Sequence, residues 1–184
     1  MDHSLDKEEL SLFSYMVLGL VGRDGAGAHD LRRMARQGRV FDWVGESQYY
    51  VEPKRLARLG YLEARREPGK TRERTVYALT DKGLGALRAW APTPSRFPSL
   101  KHEALIHVLV ADLVGDAPTA ASVAALRDDI ADLRARLDIA EAMADSLPHR
   151  ARYLNLGYTL VRRLLDVHLE WVDEVERELQ AKEG

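Results

Sequence analysis

The chain has 184 residues, 46% of them hydrophobic, with 27 Lys and Arg against 29 Asp and Glu and no cysteine. That length and composition support one domain or two small ones with a real core. The missing thiols exclude disulfides and thiolate metal sites and fit a reducing compartment. The near-neutral total hides a lopsided distribution. Residues 1–98 carry 17 basic against 13 acidic side chains (+4), residues 99–184 carry 10 against 16 (−6), and the stretch 32–74 carries 12 against 6. A basic segment beside an acidic half is the footprint of a module that meets a polyanion with one face.

The opening MDHSLDKEEL is acidic and lacks the basic-then-apolar layout of a secretion signal, so a cytoplasmic chain without a leader is expected. The longest uncharged apolar run, residues 10–22, has 13 residues. A membrane span needs about 20, so the run reads as a buried helix and no membrane partner is expected. That first helix is predicted over 8–22, with Leu10, Phe13, Val17 and Leu20 on one stripe and Tyr15, Met16 and Leu18 widening it. Asp24-Gly25-Ala26-Gly27 reads as a breaker. A second helix is predicted over 29–37, with Leu31, Met34 and Ala35 inward and Arg32, Arg33, Arg36 and Arg39 outward.

After a loop holding Phe41 and Trp43, Ser47 is expected to cap a third helix with its hydroxyl. Val51, Leu56 and Leu59 read as its buried side and Tyr49, Lys54, Arg55 and Arg58 as its exposed side, with Gly60 as its C′ residue. Pro53 predicts a kink or a later start. Residues 61–65 and 74–79 alternate as strands, Pro68-Gly69 marks the turn between them, and residues 65–74 hold five basic and two acidic side chains. Thr80 is expected to cap a helix reaching Trp90, with Leu84, Leu87 and Trp90 on one face. Three prolines in residues 91–98 mark a linker.

Everything beyond reads as helix. Residues 100–114 are strongly apolar, and 116–119 break the pattern. From Val123 a three-four repeat through Leu126, Ile130, Leu133, Leu137, Ala140, Ala144 and Leu147 predicts a coiled-coil-like seam that Pro148 ends. The last helix, 150–181, carries two seams: Tyr158, Val161, Leu165, His168, Val172, Val175 and Leu179, and Leu160, Leu164, Val167 and Trp171. One can pack on the helix from Val123 and the other on a second copy of the chain. The dimer interface is therefore expected to involve Leu126, Leu133, Leu137, Leu160, Leu164, Val167 and Trp171.

Helix, strand, basic hairpin and strand together predict a winged helix-turn-helix that binds duplex DNA. Arg32, Arg33, Ser47, Gln48, Tyr49, Tyr50, Lys54, Arg55, Arg58, Lys70, Arg72 and Arg74 are the candidate contacts. Gln48, Tyr49 and Tyr50 are placed for bases or phosphates, and the wing residues for phosphates or the minor groove. Tyr50 is equally readable as a structural hydroxyl under the helix. A winged helix used only for protein contacts is the alternative.

Tyr77-x-Leu79-Thr80-x-x-Gly83-x-x-x-Leu87-x-x-Trp90 resembles the end of the winged domain in the PadR (phenolic acid decarboxylase regulator) family. Leu18-Gly19-Leu20, Tyr50, Arg55-Leu56 and Gly60 resemble further family positions. Ala28-His29 and Pro53 depart from the pattern. The layout is similar to the larger PadR subfamily, which implies a homodimeric regulator, most often a repressor, released by a small molecule or cellular signal. The fold class expected is α+β and mostly α: a winged-helix domain over 1–92, a linker over 93–98 and a helical dimerisation domain over 99–184.

Trp43, Trp90, Tyr153 and Trp171 are candidates for an effector pocket, although aromatics at helical spacing also suit plain core packing. Glu103 with His107 and Asp145 with His149 each fall four apart on one predicted helical face, but without a third ligand or a cysteine neither makes a metal site. His168 lies in an apolar seam. There is no phosphate loop or nucleophile motif, and Glu141 and Asp145 read as a solvated face, so no catalytic residue and no cofactor are expected.

Overall fold

The structure, a computed structural model, describes residues 9–36, 44–68 and 73–180. The chain divides into two compact units, Met1–Arg96 and Phe97–Gly184.

The first unit contains α1 (Leu12–Val21), β1 (Ala26–Gly27), α2 (Ala28–Arg36), α3 (Gln48–Arg58), β2 (Leu62–Glu67), β3 (Arg74–Leu79) and α4 (Asp81–Trp90). It is a helix-rich α+β winged helix. The strands form an antiparallel sheet in the order β1-β3-β2. The short β1 falls where the sequence reads as a breaker. Its Ala26 and Gly27 pair with Tyr77 and Val76 of β3, which ties the α1–α2 turn to the hairpin.

Helix α1 starts at Leu12, four residues later than periodicity predicts. Ser11 and Ser14 exchange side-chain-to-backbone hydrogen bonds of 3.1 and 3.0 Å, a capping box that ends the preceding extended segment. Its wide apolar face packs against α2, α3, α4 and the sheet, burying Phe13, Val17, Leu18 and Val21. Tyr77 joins this core from β3, opposite Ala64 of β2, with Leu62 opposite Leu79 on the same face.

The end of α3 is locked by local chemistry. Gly60 has φ +78°, the Tyr61 amide donates to the Leu56 carbonyl at 2.9 Å, and the Gly60 amide donates to Ala57 at 3.1 Å. These are the two bonds of a Schellman cap. Thr80 caps α4 as predicted, accepting from the Gly83 amide at 3.1 Å, and its hydroxyl also faces the Gly60 and Tyr61 carbonyls. Gly83 approaches the Tyr61 carbonyl so closely that a Cβ there would lie 2.2 Å from the oxygen. The exit of α3 and the start of α4 are thus pinned together.

The second unit contains α5 (Glu103–Leu109), α6 (Ala111–Val114), α7 (Asp116–Ala124), α8 (Leu126–Ala144) and α9 (Pro148–Gln180). The break expected at 116–119 falls instead at Gly115, φ +101°. Residues 116–119 form the first turn of α7, where Pro118 lacks only an amide that would have no helical partner. Pro148 opens α9, its φ already suited to a first helical position.

Helices α8 and α9 run antiparallel because only residues 145–147 join them. Ile130, Leu137, Ala140 and Ala144 of α8 are buried, as are Leu165, Val172 and Val175 of α9. Ion pairs flank this seam. Arg127 meets Asp173 at 2.6 Å and also Glu176, Arg134 meets Asp166, and Arg162 meets Asp138 at 2.6 Å and Glu141 at 2.7 Å. Glu141, expected on a solvated face, is therefore gripped by Arg162, whose hydrogen bonds hold its carboxyl below the ordinary range.

The seam from Val123 is consequently closed inside one chain. Leu137 is fully buried, Leu126 packs into the cluster around Val123 and Leu133 is half-buried. Leu137 cannot lie at a surface between chains, and Leu126 faces its own unit. Trp171 likewise packs inward. Leu160, Leu164 and Val167 are 60, 48 and 57% exposed.

His102, just before α5, stacks on His168 of α9 with ring centroids 4.9 Å apart and 9° between planes, and meets Trp171 edge-on at 5.6 Å. A nitrogen of the His168 ring lies 2.6 Å from the Leu164 carbonyl, while the buried Nδ1 of His102 has no hydrogen-bond partner among the described residues. Burial pushes His102 below the ordinary imidazole value, and a charge on His168 adds to the shift. Its stabilising contribution is therefore fully present above the unfolded value of ~6.5 and is lost as pH falls from there through the lower folded value. The melting temperature should fall between pH 7.5 and 5.5, and His102→Phe should shrink that fall. A variant that melts as pH-dependently as the wild type would remove His102 from the account.

Candidate nucleic-acid interface

Helix α3 shows two chemically different sides. Inward it buries Tyr49 (3% exposed), Glu52 (7%), Pro53 and Leu56 (0%). Outward it presents Gln48, Tyr50, Val51, Lys54 and Arg58. The helix is continuous from Gln48 to Arg58, so it starts directly after Ser47, and Pro53 sits inside it with its ring in the core.

This rotation corrects three expectations. Tyr49 cannot touch DNA, because its ring packs edge-on against Phe13 of α1 at 5.3 Å and 85°. The structural tyrosine under the helix is Tyr49, and Tyr50 is the one that reaches the surface. Val51, expected inside, is 55% exposed. Ser47 precedes the helix but has helical φ and ψ and makes no side-chain cap; its carbonyl accepts from the Tyr50 and Val51 amides.

Glu52 is a buried carboxylate held by three side-chain hydrogen bonds. Ser14 Oγ donates to its Oε1 at 2.6 Å, and Arg55 donates from Nε and Nη2 to its two oxygens at 2.9 Å each. Arg55 Nη2 also reaches Ser14 Oγ at 3.2 Å. The Arg55 side chain is 20% exposed, unlike those of Lys54 and Arg58, which lie on the open side.

Helix α2 and the hairpin flank α3. Arg32 lies beside Tyr50 and 2.5 Å from Glu46, contacts that hold its guanidinium above the ordinary value, with the hydrogen bond to Tyr50 the largest cause. Arg33 pairs with Asp30 at 3.1 Å and Arg74 with Asp30 at 3.3 Å and Glu67 at 3.6 Å. On the wing strands Arg65 pairs with Glu63, which it holds below the carboxylate range by hydrogen bonding, and Arg66 pairs with Glu73. All these pairs are solvent-accessible. Such exposed, solvent-screened pairs contribute little to stability, so a phosphate can replace the carboxylate at small cost. Lys70 and Arg72, the remaining wing candidates, lie outside the described residues.

The exposed residues share one chemistry: cations for phosphate, amide and phenol groups for base edges, and a valine methyl surface suited to thymine. Sequence reasoning missed Val51. The available signal was its position three residues before Lys54 and seven before Arg58, on one helical face.

The aromatic candidates are divided between the two units. Trp43 lies outside the described residues. Trp90 stacks on Tyr15 at 4.6 Å beside an open cleft of about 540 Å³ in the first unit, lined also by Leu10, Leu12, Tyr61 and Ala86. Tyr153 is 69% exposed on α9. Tyr153 and Trp171 are 18 residues apart on that helix, roughly 27 Å at 1.5 Å per residue, too far to line one small-molecule pocket. Among the described residues no group of three or more His, Asp or Glu could hold a metal ion. Glu103 and His107 stand 3.9 Å apart, whereas Asp145 caps α8 and His149 belongs to α9, so the latter pair does not share a helix.

No protein-family model and no curated protein matches the chain. Solved structures do. Bacillus subtilis PadR in complex with operator DNA aligns with a TM-score of 0.69 at 20% identity, covering 95% of this chain and 99% of that one. A PadR-like transcriptional regulator from Bacillus cereus aligns at 0.66 and 17%, covering 92% and 99%. The virulence activator AphA of Vibrio cholerae aligns at 0.61 and 24%, covering 93% and 99%. The fold is that of the PadR transcriptional regulators. The Bacillus subtilis and Bacillus cereus neighbours are transcriptional regulators, and among the described residues no helix is long and apolar enough to cross a membrane.

The two tyrosines should separate cleanly. Tyr49→Ala should cost about 3–5 kcal/mol in urea unfolding, as removal of a buried aromatic does. Tyr50→Ala should stay within about 1 kcal/mol of the wild type. Equal losses would contradict the assigned rotation of α3.

Proposed function

We propose that the chain is a PadR-family transcriptional regulator that binds a pseudo-palindromic duplex as a homodimer. The observation that carries this reading is the outward, polar and basic side of α3 beside a β-hairpin wing, in a fold matched along nearly its whole length by a protein solved with operator DNA. Lys54 and Arg58, with Arg33 and Arg74 at the flanks, bind phosphates, and Lys70 and Arg72 are assigned the same role from the sequence. Gln48, Tyr50 and Val51 face base edges, and Ser47 lies at the entry of the helix. Arg32 steadies Tyr50.

The dimer rests on apolar surface that the second unit leaves open. Leu156, Leu160, Leu164 and Val167 run along α9, and Ile106, Leu109 and Leu113 lie on α5 and α6, all between 48 and 79% exposed. So much exposed apolar area marks an interaction surface. A two-fold dimer would set two copies of α3 about one DNA turn apart, roughly 34 Å. Repression, with release by a small molecule, completes the proposal; Bacillus subtilis PadR has also been solved with p-coumaric acid. Such a regulator works in the cytoplasm.

Duplexes selected from a random pool should bind with an affinity that falls steeply with salt, because each neutralised phosphate releases counterions. Leu160→Glu with Leu164→Glu should convert the chain to a folded monomer by light scattering and weaken operator binding at least tenfold. A wild-type chain that selects no duplex at low salt would favour the alternative, a winged helix used only for protein contacts. A monomeric wild type at micromolar concentration would sink the dimer.

A further inference from the structure

Arg55 sits among the basic residues of α3, yet its chemistry differs from theirs. Two of its donor nitrogens are committed to the Glu52 carboxylate at 2.9 Å, and one of them also reaches Ser14 Oγ at 3.2 Å. Ser14 is fully buried, belongs to the first turn of α1 and spends the same hydroxyl on the Ser11 amide and on Glu52. The three side chains therefore bolt the middle of α3 to the beginning of α1. A phosphate that drew Arg55 away would leave Glu52 as an uncompensated buried charge, a heavily penalised state. The exposed pairs of Arg33 and Arg74 carry no such penalty.

We propose that Ser14, Glu52 and Arg55 form a positioning clamp that sets the rotation of α3, so that Arg55 governs DNA recognition through Glu52 without touching phosphate. The proposal rests on the DNA-binding reading. The clamp needs arginine specifically. A planar guanidinium delivers parallel N–H bonds to both carboxylate oxygens, whereas an ammonium is a single point charge that cannot span them. One turn of α3 carries both the clamp and the reading residues: Glu52 and Arg55 are interleaved with Val51 and Lys54. A change in the clamp therefore shifts the groups that face bases.

The test uses the full chain, a duplex selected from a random pool by the wild type, and an unrelated duplex of equal length. Affinities are measured across a salt series for Arg55→Lys, Arg55→Ala, Ser14→Ala and, as a contact control, Arg58→Ala, with circular dichroism to confirm folding. Arg55→Lys should lose at least tenfold in affinity for the selected duplex and lower its preference over the unrelated one. Arg55→Ala should keep the wild-type salt slope. Arg58→Ala should weaken both duplexes alike and reduce the slope by about 1. Ser14→Ala carries no charge change and should reproduce the loss of preference at an unchanged slope, which keeps the test decisive if Arg55 variants fold poorly. The clamp is overturned if Arg55→Lys binds like the wild type while Arg55→Ala reduces the slope by about 1, or if Ser14→Ala retains full preference. A wild type that binds neither duplex overturns the regulator reading itself.

Discussion

Burying the carboxylate of Glu52 is the constraint around which the first unit is arranged. A charge removed from water persists only with a counter-ion and hydrogen bonds on its remaining lone pairs. The chain meets that requirement twice, from Arg55 one turn along the same helix and from Ser14 at the head of α1. Ser14 must then stand at the third position of α1, which places Ser11 at its cap and the helix start at Leu12. With Glu52 inward, helical geometry brings Tyr49, Pro53 and Leu56 inward as well. The opposite side is released to solvent, and it holds Tyr50, Val51, Lys54 and Arg58. The polar core contact and the open basic face are two consequences of one rotation.

The cap at the far end serves the same helix. Gly60 turns the chain through a left-handed residue, Tyr61 closes the Schellman bond, and Thr80 and Gly83 hold the start of α4 against it. A close approach of backbone to backbone needs the missing Cβ of Gly83. Helix α3 is thereby fixed at its middle by side-chain chemistry and at its end by backbone chemistry. Groups held this firmly meet a ligand with little ordering cost.

The second unit solves a different problem with simpler means. A three-residue connection folds α9 back along α8, and arginine–carboxylate pairs from Arg127 to Arg162 line the edges of the apolar seam. These pairs are partly exposed and individually weak; the opposed order of their partners along the two helices fits one antiparallel alignment. The cost of this self-closure is that a helix of 33 residues covers only one of its two apolar sides. Trp171 packs against the cluster around Val123 and Val172 and meets the His102 ring, while Leu160, Leu164 and Val167 stay in the open.

The sequence by itself determined the order and kind of most elements. The apolar periods, Thr80, Gly60 and the alternating hairpin strands are signals read over a few residues, and each produced the predicted element at nearly the predicted place. The winged-helix fold class followed from them, and the motif from Tyr77 to Trp90 carried the resemblance to PadR regulators. Apart from element ends and the break misplaced at 116–119, most of what failed was a choice between faces or partners. Glu52 and Pro53 disguised the inner stripe of α3, so Tyr49 and Val51 exchanged sides. The two-residue β1 is too short to carry a pattern. Leu126 and Leu137 offered the same seam to a neighbour in the same chain or in another copy. Only the tertiary structure decided these points, because a helical period says that a face is apolar, while the residues that cover it, such as Ser14 for Glu52, Phe13 for Tyr49 and α9 for Leu137, lie far away along the chain.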